Sequence, residues 1–214
     1  RTRMTNSNQS DRLSRKTKIF YGIGDIGNAV VNSAIQFFLM KFYTDGALIL
    51  PSLAGNALLI GKLWDAINDP LFGWLTDRTK SRFGKRRVFM IFGAIPLGIS
   101  ISLLWFVPTS DRLAAFAWIA LTFVLFDTLW TLTNVPYYAL TSELTDDYDE
   151  RSSLTTYRMV MAVPAYLVGA ALTPAIVGLF ALQRTGYAFI GIAYGALAAA
   201  ALLISAAGFR EKQK

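Results

Sequence analysis

The sequence contains no cysteine and no histidine. Without cysteine, disulfides and thiolate-held metals are excluded. Without histidine, the commonest metal ligand, general base and pH switch is missing. A nucleophile–base pair would have to rest on Ser, Lys and carboxylates, and no such motif occurs, so neither an enzyme nor a cofactor is expected. Charge is scarce as well. Only 16% of the 214 residues are Asp, Glu, Lys or Arg, where about 25% is usual for a soluble domain. What the chain has instead is apolar surface: 54% of it is hydrophobic, with a mean hydropathy of +0.41. The net charge of +7 is not read as a nucleic-acid footprint. The basic residues fall at the ends of apolar runs, where they act as topology signals.

Six apolar runs are visible, at about Ile19–Phe42, Leu48–Leu75, Val88–Val107, Leu113–Leu140, Leu154–Leu182 and Gly186–Gly208. A helix needs about 20 apolar residues to cross the hydrocarbon core. Alternating barrel-strand patterning is absent, so all six are expected to be helices. The expected fold is an all-α membrane protein of six transmembrane helices, multi-pass in the plasma (inner) membrane. It divides into a basic tail (1–18), a six-helix bundle (19–208) and a short second tail (209–214). The first tail is too long and polar for the start of a signal peptide, so no cleavable leader is expected. Arg and Lys concentrate in the tail before run one, in the loop after run two (Arg78, Lys80, Arg82, Lys85, Arg86, Arg87) and after run six (Arg210, Lys212, Lys214). The positive-inside rule then puts both termini in the cytoplasm. The loop after run four is acidic (Glu143, Asp146, Asp147, Asp149, Glu150) and is expected to meet the basic loop. Small residues in runs five and six, among them Gly169, Gly191 and Gly195, predict close helix contacts. Pro96, Pro136, Pro164 and Pro174 mark expected kinks.

Six ionisable residues lie inside the runs: Asp25, Lys62, Asp65, Asp69, Asp127 and Arg158. Each costs roughly 2.5–3.5 kcal/mol at bilayer depth on insertion scales. Lys62, Asp65 and Asp69 sit at i, i+3 and i+7, so they share one helix face, with Asn68 beside it. Asp65, Asn68 and Asp69 offer the oxygens a hard cation such as Na+ requires, and the same carboxylates suit a proton. The bland alternative is a set of structural ion pairs, with Arg158 as the partner of the second run. Run four has its own polar face: Asp127, Trp130, Thr131, Asn134, Tyr137 and Tyr138 fall within roughly 120° of arc. Between runs two and three, Gly73, Asp77-Arg78 and Gly84-Lys85-Arg86-Arg87 resemble the cytoplasmic signature of the major facilitator superfamily. Asp77, Arg78 and Arg87, with Lys62, are candidate gating residues.

Further stretches carry a narrower resemblance: Tyr21-Gly22-Ile23-Gly24-Asp25-Ile26-Gly27-Asn28, Tyr43-Thr44-Asp45, Trp64 to Pro70, Asn134-Val135-Pro136-Tyr137 and Arg158. They resemble the glycoside–pentoside–hexuronide:cation symporters, the melibiose permease-like family. The resemblance implies a coupling-cation site at Asp65, Asn68, Asp69 and Thr131, with Na+ or H+ as the ion. It implies a solute-binding role for Arg158, extended to Trp130, Asn134, Tyr138, Asp25 and Asp127. The two aspartates that grip sugar in the family are replaced here by Ala29 and Asn134. The cation half of the pattern is therefore present and the sugar half altered. The solute stays open between a glycoside, a uronide and a lysolipid. The resemblance also implies a partner, since a major facilitator transporter has two six-helix halves. This sequence supplies one, and the other would be a C-terminal half or another copy. The competing function is a non-transporting membrane scaffold.

Overall fold

The computed structural model describes residues 13–79, 81–82 and 84–208. The expectations placed on residues 1–12, Lys80 and 209–214 lie outside the described residues. Six α-helices follow one another: α1 (Arg15–Ala34), α2 (Pro51–Arg78), α3 (Arg87–Leu104), α4 (Arg112–Leu144), α5 (Tyr148–Val177) and α6 (Gln183–Ala207). Past Ala34 the first helix widens into two π-helical turns, Ile35–Leu39 and Phe42–Gly46.

The helix starts are set by short polar side chains satisfying free backbone donors. Ser14 accepts from the Thr17 amide at 3.1 Å, Asp111 from that of Ala114 at 2.8 Å and Asp147 from that of Asp149 at 2.7 Å. Pro51 opens α2, where its missing N–H costs nothing. Helix α1 begins four residues before its apolar run. Lys18, expected in the tail, is buried there on an ion pair with Glu150 (2.9 Å) and a hydrogen bond to Ser153 (2.9 Å). The prolines at 96, 136, 164 and 174 are inside helices, and so is Pro70. Gly84 turns the loop between α2 and α3 with φ of 104°, a left-handed value that favours glycine.

Helices α3 to α6 are long and apolar enough to cross a membrane. Helices α1 and α2 are diluted by the polar residues of the site, which lowers their hydropathy.

Apart from α3 and α4, consecutive helices are not the main spatial neighbours. Helix α1 packs on α5 and α6, α3 on α6 and α4, and α2 on α4. The resulting order, α5–α1–α6–α3–α4–α2, is an open arc with α2 and α5 at its ends. The main pairings are unchanged when α1 is exchanged with α4, α2 with α5 and α3 with α6. That invariance is the mark of two interlaced three-helix repeats.

Close packing rests on the small residues. A Cβ on Gly195 would lie 2.3 Å from the Gly98 carbonyl oxygen, and one on Gly27 would lie 2.6 Å from the Ala198 Cα. Backbone meets backbone at both crossings, so neither can relax by a rotamer change. Gly195→Ala is expected to lower bundle stability by about 1–3 kcal/mol, the usual cost of overpacking. Denaturant unfolding in mixed micelles measures it.

Candidate functional site: a carboxylate-lined cavity between helices α1, α2 and α4

Helix α1 faces α4 through a column of polar bonds. Tyr21 donates its hydroxyl hydrogen to the Tyr137 carbonyl (3.2 Å), and Tyr137 donates in return to that of Tyr21 (2.6 Å). One level further along, Tyr138 donates to Asp25 Oδ1 (3.3 Å). Beyond it the Asn28 amide donates to Asn134 Oδ1. These bonds keep two polar helix faces together away from lipid, where each unsatisfied group would be costly.

Where α1 and α4 diverge, a cavity of about 570 Å³ opens against α2. Helix α2 contributes Lys62, Asp65 and Asp69 to its wall. Helix α4 contributes Asp127, Trp130, Thr131, Asn134 and Tyr138, backed by Phe123 and Phe126. Helix α1 and its first π-helical turn contribute Asn32, Ile35 and Gln36. The i, i+3, i+7 stripe of α2 thus turns inward, as its energetics demand.

Of the expected cation residues, Asp65, Asp69 and Thr131 line the cavity, while Asn68 is packed against Asp127 on α4. Thr131 donates its hydroxyl hydrogen to Asp69 Oδ1 at 3.0 Å. Asp65 Oδ2 lies 3.5 Å from Lys62 Nζ, a half-exposed pair one turn apart. Asn68 is fully buried. Its Nδ2 donates to the main-chain oxygen of Asp127 and to Asp127 Oδ2, both at 3.2 Å. Its Oδ1 is buried and has no hydrogen-bond partner among the described residues. Trp64 Nε1 donates to Thr128 Oγ1 (2.9 Å) and pins the same two helices about one turn away. No three carboxylates among the described residues converge closely enough to hold a metal on their own. Any ion here needs the amide and hydroxyl oxygens too.

Asp127 stands in the cavity wall with Trp130, Asn134 and Tyr138, while Arg158 does not. Asp127, 5% exposed, stands with Asn68 in the α2–α4 cluster. Arg158 Nε pairs with Asp25 Oδ2 at 3.0 Å, and its guanidinium carbon lies 4.6 Å from the Tyr138 ring centre. Neither Asp25 nor Arg158 is part of the cavity wall. The physical reason is charge neutralisation. A buried guanidinium takes the nearest carboxylate, and Tyr138 then covers the pair from the cavity side. The same contact removes Arg158 as the partner of Asp65 and Asp69, on which the structural ion-pair reading depended.

Asn32 and Gln36 are wall residues that the sequence reading passed over. With Asp25 and Asn28 they form a polar stripe at helical spacing on an otherwise apolar helix. That stripe was available in the sequence. What hid its far end is the π-helical turn at Ile35, which shifts the register before Gln36 accepts a hydrogen bond from Tyr166. Such insertions are frequent at functional sites.

At the far end of α2, Asp77 lies 3.4 Å from Arg86 and 3.7 Å from Lys85. Arg86 Nε also reaches Glu143 Oε1 at 2.8 Å, so it bridges the ends of α2 and α4. The acidic loop meets the basic one here through Glu143. Arg78 turns away from this network and covers Trp74, its guanidinium carbon 4.3 Å from the ring. Arg87 bonds the Ala206 carbonyl, joining α3 to α6.

An all-helical bundle with apolar spans and a charged, amide-lined interior cavity defines a multi-pass integral membrane protein. The sequence model described as MFS/sugar transport protein matches residues 20–214, and the chain belongs to that family of the major facilitator superfamily. It is 37% identical over 218 residues to an uncharacterized symporter of Synechocystis, which covers 99% of this chain and 40% of the relative. It is 35% identical over 183 residues to the inner membrane symporter YicJ of Escherichia coli (86% of this chain, 40% of the relative). It is 36% identical over 169 residues to the sodium-dependent lysophosphatidylcholine symporter 1-B of Danio rerio (78% and 32%). The chain thus spans about 40% of the length of the first two of these relatives.

Proposed function

We propose that this chain is the cation-carrying six-helix half of a secondary symporter of the plasma (inner) membrane, with both termini cytoplasmic. It couples Na+ entry to uptake of a polar, sugar-like solute. The observation that carries this reading is the orphaned Asn68 Oδ1. A proton needs only a carboxylate. A buried neutral oxygen with its amide nitrogen already engaged is a ligand in want of a metal cation. Asp65, Asp69 and Thr131 supply the remaining oxygens, and Lys62 balances charge beside them.

Coupling follows from the helix that the two sites share. Thr131 belongs to the cation set, while Trp130, Asn134 and Tyr138 face the solute from the same stretch of α4. From Thr131 to Tyr138 is about 10 Å along a rigid helix. An ion that draws α4 toward α2 therefore fixes the solute wall, and by linkage a bound solute tightens the ion. Asp25 and Arg158 contribute from behind Tyr138. Asp77, Arg86 and Glu143 form a charged clasp that releases when the bundle rocks, with Arg78 and Arg87 at its margins.

The open arc supports the need for a second half. Its terminal helices carry exposed apolar rows, Leu59, Leu63, Ile67 and Leu71 on α2 and Val160, Val163 and Leu167 on α5. A C-terminal half or another copy of the chain, together with lipid, would cover them.

The test is solute uptake into proteoliposomes holding the complete two-half carrier, driven by an inward Na+ gradient, for a panel of labelled glycosides, uronides and lysophosphatidylcholine. Asp65→Asn is expected to abolish the Na+-driven component. A gradient-independent wild type sinks the reading. Preferential uptake of lysophosphatidylcholine would move the solute class to amphiphiles, for which the aromatic wall (Phe123, Phe126, Trp130) leaves room.

A further inference from the structure

Asp127 has no role in the cation set derived above, yet it is the most deeply buried of the three carboxylates in the cavity wall. It sits at bilayer depth, where its charge needs an offset. Lys62 is the one cationic side chain in that wall, and its partner is Asp65. The wall therefore holds three carboxylates against one ammonium, a formal excess of two negative charges.

What Asp127 does touch is Asn68. An asparagine amide can present its oxygen or its nitrogen to a site, and nothing in its shape decides which. Here the decision is made by Asp127. Its carboxylate Oδ2 and its main-chain oxygen both accept from Asn68 Nδ2 at 3.2 Å. The reversed amide would set oxygen against two oxygens. The nitrogen is thereby held on the Asp127 side, and Oδ1 is left as the free, buried atom.

We infer that Asp127 is a positioning residue of the cation site: it fixes the Asn68 amide with its oxygen toward the ion, and its charge deepens the potential that holds the ion. It is not a solute ligand. This inference rests on the Na+ site proposed above. It also accounts for the failure of the carboxylates to converge on one point, since Asp127 acts through Asn68. Partners that orient a metal ligand in this way typically govern affinity by 10–100-fold.

The experiment is Na+ titration of the purified chain in detergent micelles, with choline replacing Na+ at constant ionic strength. The readout is the shift of the thermal unfolding midpoint, followed by the fluorescence of its five tryptophans. A ligand at free concentration c that binds only the folded state stabilises it by RT ln(1 + c/Kd), so the midpoint climbs once Na+ exceeds Kd. Wild type is expected to respond, and Asp65→Asn to lose the response. Asp127→Asn, which keeps one acceptor oxygen, is expected to need about 10-fold more Na+, and Asp127→Leu about 100-fold more. In choline the Asp127→Asn variant should melt near the wild type, since it differs little in shape, and it carries the test should the leucine variant not fold. In an Asn68→Ala background, Asp127→Asn should add less than about threefold, because its route to the ion is gone and only its charge remains. An Asp127→Asn variant that titrates like the wild type overturns this inference and leaves the symporter reading standing. So does full additivity with Asn68→Ala. A wild-type chain with no Na+ response overturns both.

Discussion

Arg158→Leu is expected to lower the stability of the bundle by about 3–5 kcal/mol, the cost of stranding a buried charge. The stranded charge is Asp25, whose carboxylate has the Arg158 guanidinium at 3.0 Å and is otherwise held by Tyr138. Both side chains are largely covered, at 19% and 11% exposure, so solvent screens the pair little. The decisive comparison is the double variant Asp25→Leu/Arg158→Leu. Removing both charges removes the desolvation burden as well as the attraction, so most of the lost stability should return. Unfolding in mixed micelles measures all three chains. If Arg158→Leu unfolds like the wild type and loses only solute affinity in the complete carrier, the guanidinium is a direct solute ligand instead.

Asp69→Ala is expected to have the largest effect on coupling. Asp69 Oδ1 is the acceptor for Thr131 Oγ1, so one substitution removes a proposed carboxylate ligand and frees the hydroxyl that joins α2 to α4. A loss of about 3 kcal/mol in ion binding corresponds to more than 100-fold in affinity. The solute wall proposed at Trp130, Asn134 and Tyr138 is left standing. The variant should therefore exchange solute down its own gradient while failing to accumulate it against one with Na+. Paired counterflow and Na+-driven uptake assays separate these activities. Equal loss of both would mean that Asp69 supports the fold and not the coupling.

The helices were largely legible in the sequence because lipid imposes one solution on an apolar run. Each of the six runs contains most of one α-helix, with ends displaced by a few residues where a polar cap such as Ser14 or Asp147 sets the start. The inward stripe on α2 was legible for the same energetic reason. Three features were not. The π-helical turns after Ala34 leave no signal in the sequence, because a one-residue widening of the helix has no residue pattern of its own. Asp127 falls on the same face of α4 as Trp130, Asn134 and Tyr138. Only the approach of α2 shows that its partner is Asn68. Arg86 is one of several basic residues in its loop, and nothing in the run singles it out from Arg78 as the bridge to Glu143. For Asp127 and Arg86 the missing information is which helix stands opposite.

The interlaced pairing of helices bears on how the chain is made. The main partner of α1 is α5, and the bond from Lys18 to Ser153 spans 135 residues. At about 5–20 residues per second, α5 follows α1 out of the ribosome by on the order of 10 s. Throughout that interval Asp25 has no Arg158, and of the consecutive helices only α3 and α4 pack extensively on each other. Helices α2, α3 and α4 can pair among themselves as they emerge, but α1 must be sheltered without its main partners until the fifth arrives. A chain interrupted before Arg158 would expose a lone carboxylate to lipid, a defect that membrane quality control can recognise by its charge.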